Sequence, residues 1–290
     1  MNIGYVKIRK KKELSEGNTI KNYFENFRID IKSLLNIVEQ DKYNQSIFYL
    51  NNLKLESKTK LINNLMNEKI DCILIEGENK IEYPTLDGRY TMKAMIPELA
   101  EYCYKVMKPE LDEIYVCTEV FSFENVNIIE DLTKRVKVVN IVTNHRRFRN
   151  LEKRLEERDI FITVSGNKRL SLKKAKIVVN LDLSDFSIYN INRDMVIIDV
   201  TGKMQTPKSF NGIIIRKVSV NTKKVLRVFS EYEGFNKQDI IEAELAKIND
   251  YNKAREYIAF GKIYVDQVLD QNPINIEEFS RIRKKLSKRK

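Results

Sequence analysis

Five runs decide the reading of this chain: DEIYVCTE (112–119), VKVVNIVTN (136–144), DIFITVSGN (159–167), KIVVNLDLS (176–184) and MVIIDVTGK (195–203). Each has a solid apolar middle rich in Val and Ile and ends in a small or polar residue. An uninterrupted apolar middle, rather than an alternating one, suits a strand covered on both faces, as in a parallel sheet. Amphipathic stretches separate the first runs: ENVNIIEDLTKR (124–135), then HRRFRNLEKRLEER (145–158) with Phe148, Leu151 and Leu155 on one face. Strand–helix alternation implies right-handed parallel crossovers. The expected fold class is α/β, a Rossmann-like, mainly parallel sheet with helices on both faces and helical N- and C-terminal extensions.

Toward the N-terminus, SIFYL (46–50) and DCILIEG (71–77) read as further strands of that sheet, which is expected to span 46–203. SKTKLINNLMNEK (57–69) reads as a helix capped by Ser57. IGYVKI (3–8) is a short strand, and NTIKNYFENFRIDIKSLLNIVEQ (18–40) has helical apolar spacing. ENKIEYPTLDGRYTMK (78–93) reads as a loop, with Pro84 and Asp87-Gly88 marking turns. Pro97 fits the first turn of a helix that reaches Met107. Toward the C-terminus, KRLSLKKA (168–175) and DFSIYNINRD (185–194) are too brief for full crossover helices, and IIIRKVSV (213–220) adds a last strand. Residues 237–270 read as helical, with Gly261 a weak point. The expected organisation is an N-terminal extension over 1–45, a Rossmann-like domain over 46–230 that can divide near 110, and a helical segment with a basic tail over 231–290.

Composition excludes several classes. The chain has 290 residues, 32% charged and 42% hydrophobic, ordinary for a soluble globular protein. No run approaches the ~18 apolar residues a membrane span needs. MNIGYVKIRKKKEL lacks the apolar core of a secretory signal, so cytoplasmic location is expected. Cys72, Cys103 and Cys117 sit in apolar surroundings and read as buried, inert thiols of a reduced compartment. One histidine and no Cys-x-x-Cys argue against structural zinc, and no metal is expected. The net charge is +11, yet KIRKKK (7–12) carries five positive charges and RIRKKLSKRK (281–290) seven, so the rest sums to −1. The ends read as solvated tails, or as sites of weak, non-specific nucleic-acid association.

Ligands of open parallel sheets bind beyond the carboxyl ends of the strands, near the switch in strand order. That rule selects Thr118, Glu119, Thr143, Asn144, His145, Arg146, Arg147, Ser165, Gly166, Asn167, Asp182, Asp199 and Thr201. His145 can serve in acid–base chemistry or simply start a helix. Ser165-Gly166-Asn167 can cradle a phosphate or form a tight turn. Asp87 and Arg89 are further candidates, carried by the long loop. There is no Walker loop, nucleophile elbow or metal-ligand spacing.

From Asp112 to Lys203 the chain resembles the dinucleotide-binding half of Rossmann-type NAD(P)-dependent dehydrogenases and reductases. ERDIFITVSGN (157–167) resembles their strand ending in a small-Gly pair beside the nicotinamide-side ribose, and MVIIDVTG (195–202) their later strand ending in Ile-Asp-Val. Arg146 and Arg147 follow VNIVTN, where NADP-preferring members place a basic residue for the 2′-phosphate. The resemblance implies NADP as cofactor. The departure is TEVFSFENVN (118–127), which has no glycine where those families need a glycine-rich turn. Side chains there block close approach of pyrophosphate, and Glu119 and Glu124 add negative charge. The reading is therefore a non-catalytic protein without cofactor, binding a protein partner or small ligand at the carboxyl edge. The alternatives are an NADP-dependent oxidoreductase with a degenerate phosphate loop and a protein that associates with nucleic acid through its basic ends.

Overall fold

IGYVKI forms β1 (Ile3–Ile8), flanked on both sides by parallel partners, β3 (Ser46–Leu50) and β4 (Cys72–Ile75). The two-residue β2 (Glu39–Gln40) adds antiparallel to β3, giving a four-stranded sheet in the order β2-β3-β1-β4. The computed structural model describes residues 2–8, 39–40, 46–50, 55–77, 81–107, 113–223, 234–248, 250–267 and 273–274. The helix expected over 18–40, apart from β2, and the basic clusters at 9–12 and 281–290 lie outside these residues. The chain divides into two units, Met1–Asp87 with Val225–Asn249 and Gly88–Lys224 with Asp250–Lys290.

In the first unit, α1 (Leu55–Asn67) crosses from β3 to β4. Its Leu61 and Leu65 close a core with Val6, Phe48, Leu50, Ile70 and Ile73. The helix starts at Leu55, so Ser57 lies inside it rather than at its cap. A Cβ on Gly4 would come within 3.1 Å of Ile70 and Phe48, so the middle strand meets its cover closely at that point. On β1, Tyr5 is fully buried and meets Phe235 edge-on, and α6 (Lys237–Ile248) packs on β4. The strands at 46–50 and 72–75 thus belong to this sheet, which replaces the single sheet expected over 46–203 with two.

The second unit holds the runs that opened the reading: β5 (Glu113–Cys117), β6 (Val138–Val142), β7 (Ile162–Ser165), β8 (Ile177–Asn180), β9 (Val196–Asp199) and β10 (Ile213–Thr222). All six are parallel, in the order β10-β9-β8-β5-β6-β7. Read from β7, this is the doubly wound strand order, and its direction reverses between β5 and β8. Register sets one face as the row Tyr115–Val178–Ile197–Ile214, buried with Leu172 and Phe186. The alternate row is Val116–Val179–Ile198–Ile215, and α2 (Arg89–Met107) packs against β8, β9 and β10. Every residue of β8 and β9 is buried, as their unbroken apolar sequences require. The mixed α/β class with a mainly parallel sheet flanked by helices is therefore the observed one. No described helix is long and apolar enough to cross a membrane.

Two boundaries differ from expectation. α2 begins at Arg89, directly after the Gly88 turn with its positive φ of 86°, so Pro97 lies inside the helix. The sequence expects a loop through Lys93 because proline suits the first turn of a helix, whereas here the helix already runs two turns before it. Arg255 Nη1 donates to the Ala94 carbonyl (3.3 Å), in the turn before that proline. The second difference is at the C-terminus. The helix expected through residue 270 ends as α7 (Tyr251–Tyr257), capped by Asp250, and β11 (Ile258–Gln267) follows. β11 runs antiparallel to β10, and β12 (Pro273–Ile274) pairs with β11. Ile258 and Ile263 are buried in this hairpin, and a Cβ on Gly261 would sit 2.7 Å from the Ser219 carbonyl oxygen. Gly261 marks close approach between strands, not a weak point in a helix.

Candidate functional site

The strand order puts the switch point at the carboxyl ends of β5 and β8, and there the sequence supplies Thr118, Glu119 and Asp182. β5 ends in a loop that turns into α3 (Phe123–Thr133), capped by the Ser122 hydroxyl, which accepts from the Asn125 amide. In a nucleotide-binding sheet, this loop turns its amides toward a phosphate. Here they turn toward a carboxylate of the same chain. The Glu119 amide donates to Asp182 Oδ1 (2.7 Å), and the Val120 amide donates to Asp182 Oδ2 (3.1 Å). Thr118 Oγ1 also donates to Oδ2 (2.6 Å). Asn125, buried on α3, holds the loop by donating to Thr118 Oγ1 and to the Val120 carbonyl (3.0 and 2.9 Å).

Asp182 is placed by its own strand. Asn180 at the end of β8 donates to the Leu183 carbonyl (2.7 Å) and accepts from the Leu183 amide (3.0 Å), curling residues 180–183 back over the edge. Carboxylate–amide pairs of this kind are among the stronger hydrogen bonds, because the acceptor is charged.

The neighbouring loops converge on Glu119. Its carboxylate accepts from Lys168 Nζ (2.5 Å) and from the Asn144 amide (3.2 Å), so the ends of β5, β6 and β7 are tied together. Burial works against the charge of Lys168, but Glu119 and Tyr189 outweigh it and raise its pKa. Glu124 pairs with Lys93 of α2 (2.6 Å). Both carboxylates that add charge to the loop are therefore neutralised within the unit.

The Thr143 amide donates to the Ser165 carbonyl (2.9 Å), and a Cβ on Gly166 would meet Asn144 Oδ1 at 3.0 Å. Asn167 donates its amide to Ser165 Oγ (3.2 Å) and caps α5 (Lys168–Lys174) by accepting from the Leu170 amide. These contacts form a tight turn. His145 accepts from the Arg147 amide at Nδ1 (3.3 Å) as α4 (Arg147–Glu156) begins, and its ring stacks on Phe121 (5.8 Å between centroids). Arg146 and Arg147 are exposed, and the Arg147 guanidinium lies over the Phe121 ring (6.0 Å).

Asp199 and Thr201 form a separate cluster at the end of β9. Asp199 is fully buried; its Oδ1 accepts from Asn180 Nδ2 (2.9 Å), the Thr201 amide (3.2 Å) and the Thr201 hydroxyl (2.7 Å). Its Oδ2 accepts from the Met204 amide (3.2 Å) and from Arg216 Nε (3.3 Å). Asp87 belongs to the first unit and Arg89 opens α2 of the second, so that pair is divided between units. Among the described residues there is no group of three His, Cys, Asp or Glu placed to hold a metal ion.

Sequence reading missed Asn125, Phe121, Lys168, Asn180 and Arg216. Asn125 carried a signal, as an amide in the first turn of the helix that directly follows the loop. Lys168 and Arg216 carried none, because their partners lie 49 and 17 residues away with no period connecting them.

Comparison with family models and with curated protein sequences finds no match. Among solved structures, the chain is similar to an aspartate transcarbamoylase from Trypanosoma cruzi in complex with N-(phosphonacetyl)-L-aspartic acid, at 11% identity and a TM-score of 0.28, covering 69% of this chain and 70% of that one. A second Trypanosoma cruzi structure, described as an aspartate carbamoyltransferase, gives 10% identity and a TM-score of 0.25, covering 68% and 69%. Scores of this size carry no argument about this chain.

Proposed function

We propose that the chain is a non-catalytic, cytoplasmic Rossmann-like protein that recognises a partner at the carboxyl edge of its parallel sheet and binds no dinucleotide. The observation that carries this is the Asp182 carboxylate. It already accepts from the Glu119 and Val120 amides and the Thr118 hydroxyl, the donors of the loop at the switch point. A pyrophosphate arriving there would have to displace a bound anion of the same chain, and like charges at that distance repel. The glycine-free loop adds a steric objection, since Val120 and Phe121 carry side chains where close backbone approach is needed. The edge is nonetheless exposed and partly apolar, with Val120 52% and Phe123 79% accessible.

The alternative, an NADP-dependent oxidoreductase, draws on Arg146 and Arg147, both exposed at the end of β6. Calorimetric titration with NADP and NAD separates the two. The expected result is no saturable heat with either dinucleotide. Micromolar NADP binding that vanishes in Arg146→Ala and Arg147→Ala would establish the oxidoreductase reading instead.

A further inference from the structure

The segment 145–176 carries eleven Lys and Arg against four Asp and Glu, a local +7 within a chain that sums to −1 once its two basic ends are set aside. Its two helices follow adjacent parallel strands, β6 and β7, so both start at the same edge of the sheet. Arg146, Arg147 and Arg149 from the first and Arg169 from the second are all exposed there. The acids at this edge are already engaged, Glu119 by Lys168, Glu124 by Lys93 and Asp182 by the amides after β5. Aromatic groups from the loop after β5 adjoin the cations. Phe121 stacks on His145 beneath Arg147, and two residues on, the ring of Phe123 is 79% exposed.

Exposed arginines beside an exposed ring match the two needs of an unpaired polynucleotide. Its phosphates take charge-assisted hydrogen bonds from guanidinium groups, and its bases offer faces for stacking that a duplex hides. Resting on the reading of the carboxyl edge as a recognition surface, we propose that the edge formed by residues 120–123, 145–149 and 168–169 binds single-stranded nucleic acid. Phe123 stacks on a base, and Arg146, Arg147 and Arg149 hold the backbone. The site lies on the folded body and is distinct from the basic ends of the chain.

The test is fluorescence anisotropy of the full chain with labelled single-stranded RNA and DNA dodecamers, a duplex of the same length, and polyglutamate as competitor. Single strands are expected to bind more tightly than duplex, with log affinity falling against log salt by about 0.7 per contacted phosphate. Arg146→Ala combined with Arg147→Ala should flatten that slope by about 1.4. Phe123→Ala should weaken single-strand binding roughly tenfold, and Phe123→Tyr should restore it. All three side chains are exposed, so the melting temperature should stay within a degree or two of the native value. Binding that ignores these substitutions belongs to the basic ends and overturns the proposal. Equal displacement by polyglutamate with no effect of Phe123→Ala would assign the edge to an acidic polypeptide and overturn it too. Neither result touches the dinucleotide titration, which alone decides whether the recognition-surface reading fails.

Discussion

Asp199→Ala is expected to lower the unfolding free energy by about 3–5 kcal/mol, because it leaves a guanidinium and several buried donors without their acceptor. Five donors converge on this carboxylate, and none of its surface reaches solvent. Arg216 keeps its bond to the Met204 carbonyl (2.8 Å) and is 31% exposed, so most of the loss falls on the buried amide and hydroxyl donors. Urea denaturation should show a lower midpoint with an unchanged slope. Strand-end position alone makes Asp199 a ligand candidate, and a residue held for a ligand would leave the midpoint where it was. The residue instead ties the carboxyl ends of β8 and β9 to Arg216 within β10.

Phe148→Ala should cost a comparable ~3–5 kcal/mol, the usual range for truncating a buried aromatic. Phe148 is fully buried, and with Leu151 and Leu155 it forms the whole apolar face of α4. Its ring also meets Phe121 edge-on (4.9 Å between centroids), so the loss would reach the loop after β5. The start of α4 has no side-chain cap from Arg146 to compensate. Thermal unfolding checks the magnitude. A drop well under 1 kcal/mol would mean that α4 is not seated on the sheet as described.

The parallel sheet was legible because its strands are continuous apolar runs, and IVVN and VIID can be buried on both faces in few other ways. Position at strand ends was legible for the same reason, and it brought Thr118, Glu119, Thr143, Asn144 and Asp182 to one edge. Membership of a sheet was not legible. SIFYL and CILI have the same character as the later strands, and only pairing with β1 puts them in a separate sheet. β11 was hidden because Ala254, Ile258 and Val265 recur at helical spacing in the sequence, while the chain itself pairs with β10 in a bulged hairpin. The filled switch point was beyond sequence reading altogether. Asp182 lies 64 residues from Thr118, and a carboxylate accepting backbone amides leaves no pattern of residue types.

The central claim is that the amides after β5 are held by Asp182 and are not open to a ligand's phosphate. The most direct measurement is urea unfolding of the native chain and of Asp182→Ala, each with and without millimolar pyrophosphate. The account predicts that Asp182→Ala is less stable by about 1–3 kcal/mol, the cost of leaving loop donors without an acceptor. It also predicts that pyrophosphate leaves the native midpoint unchanged. A native chain stabilised by pyrophosphate, together with an Asp182→Ala variant as stable as the native one, would contradict it.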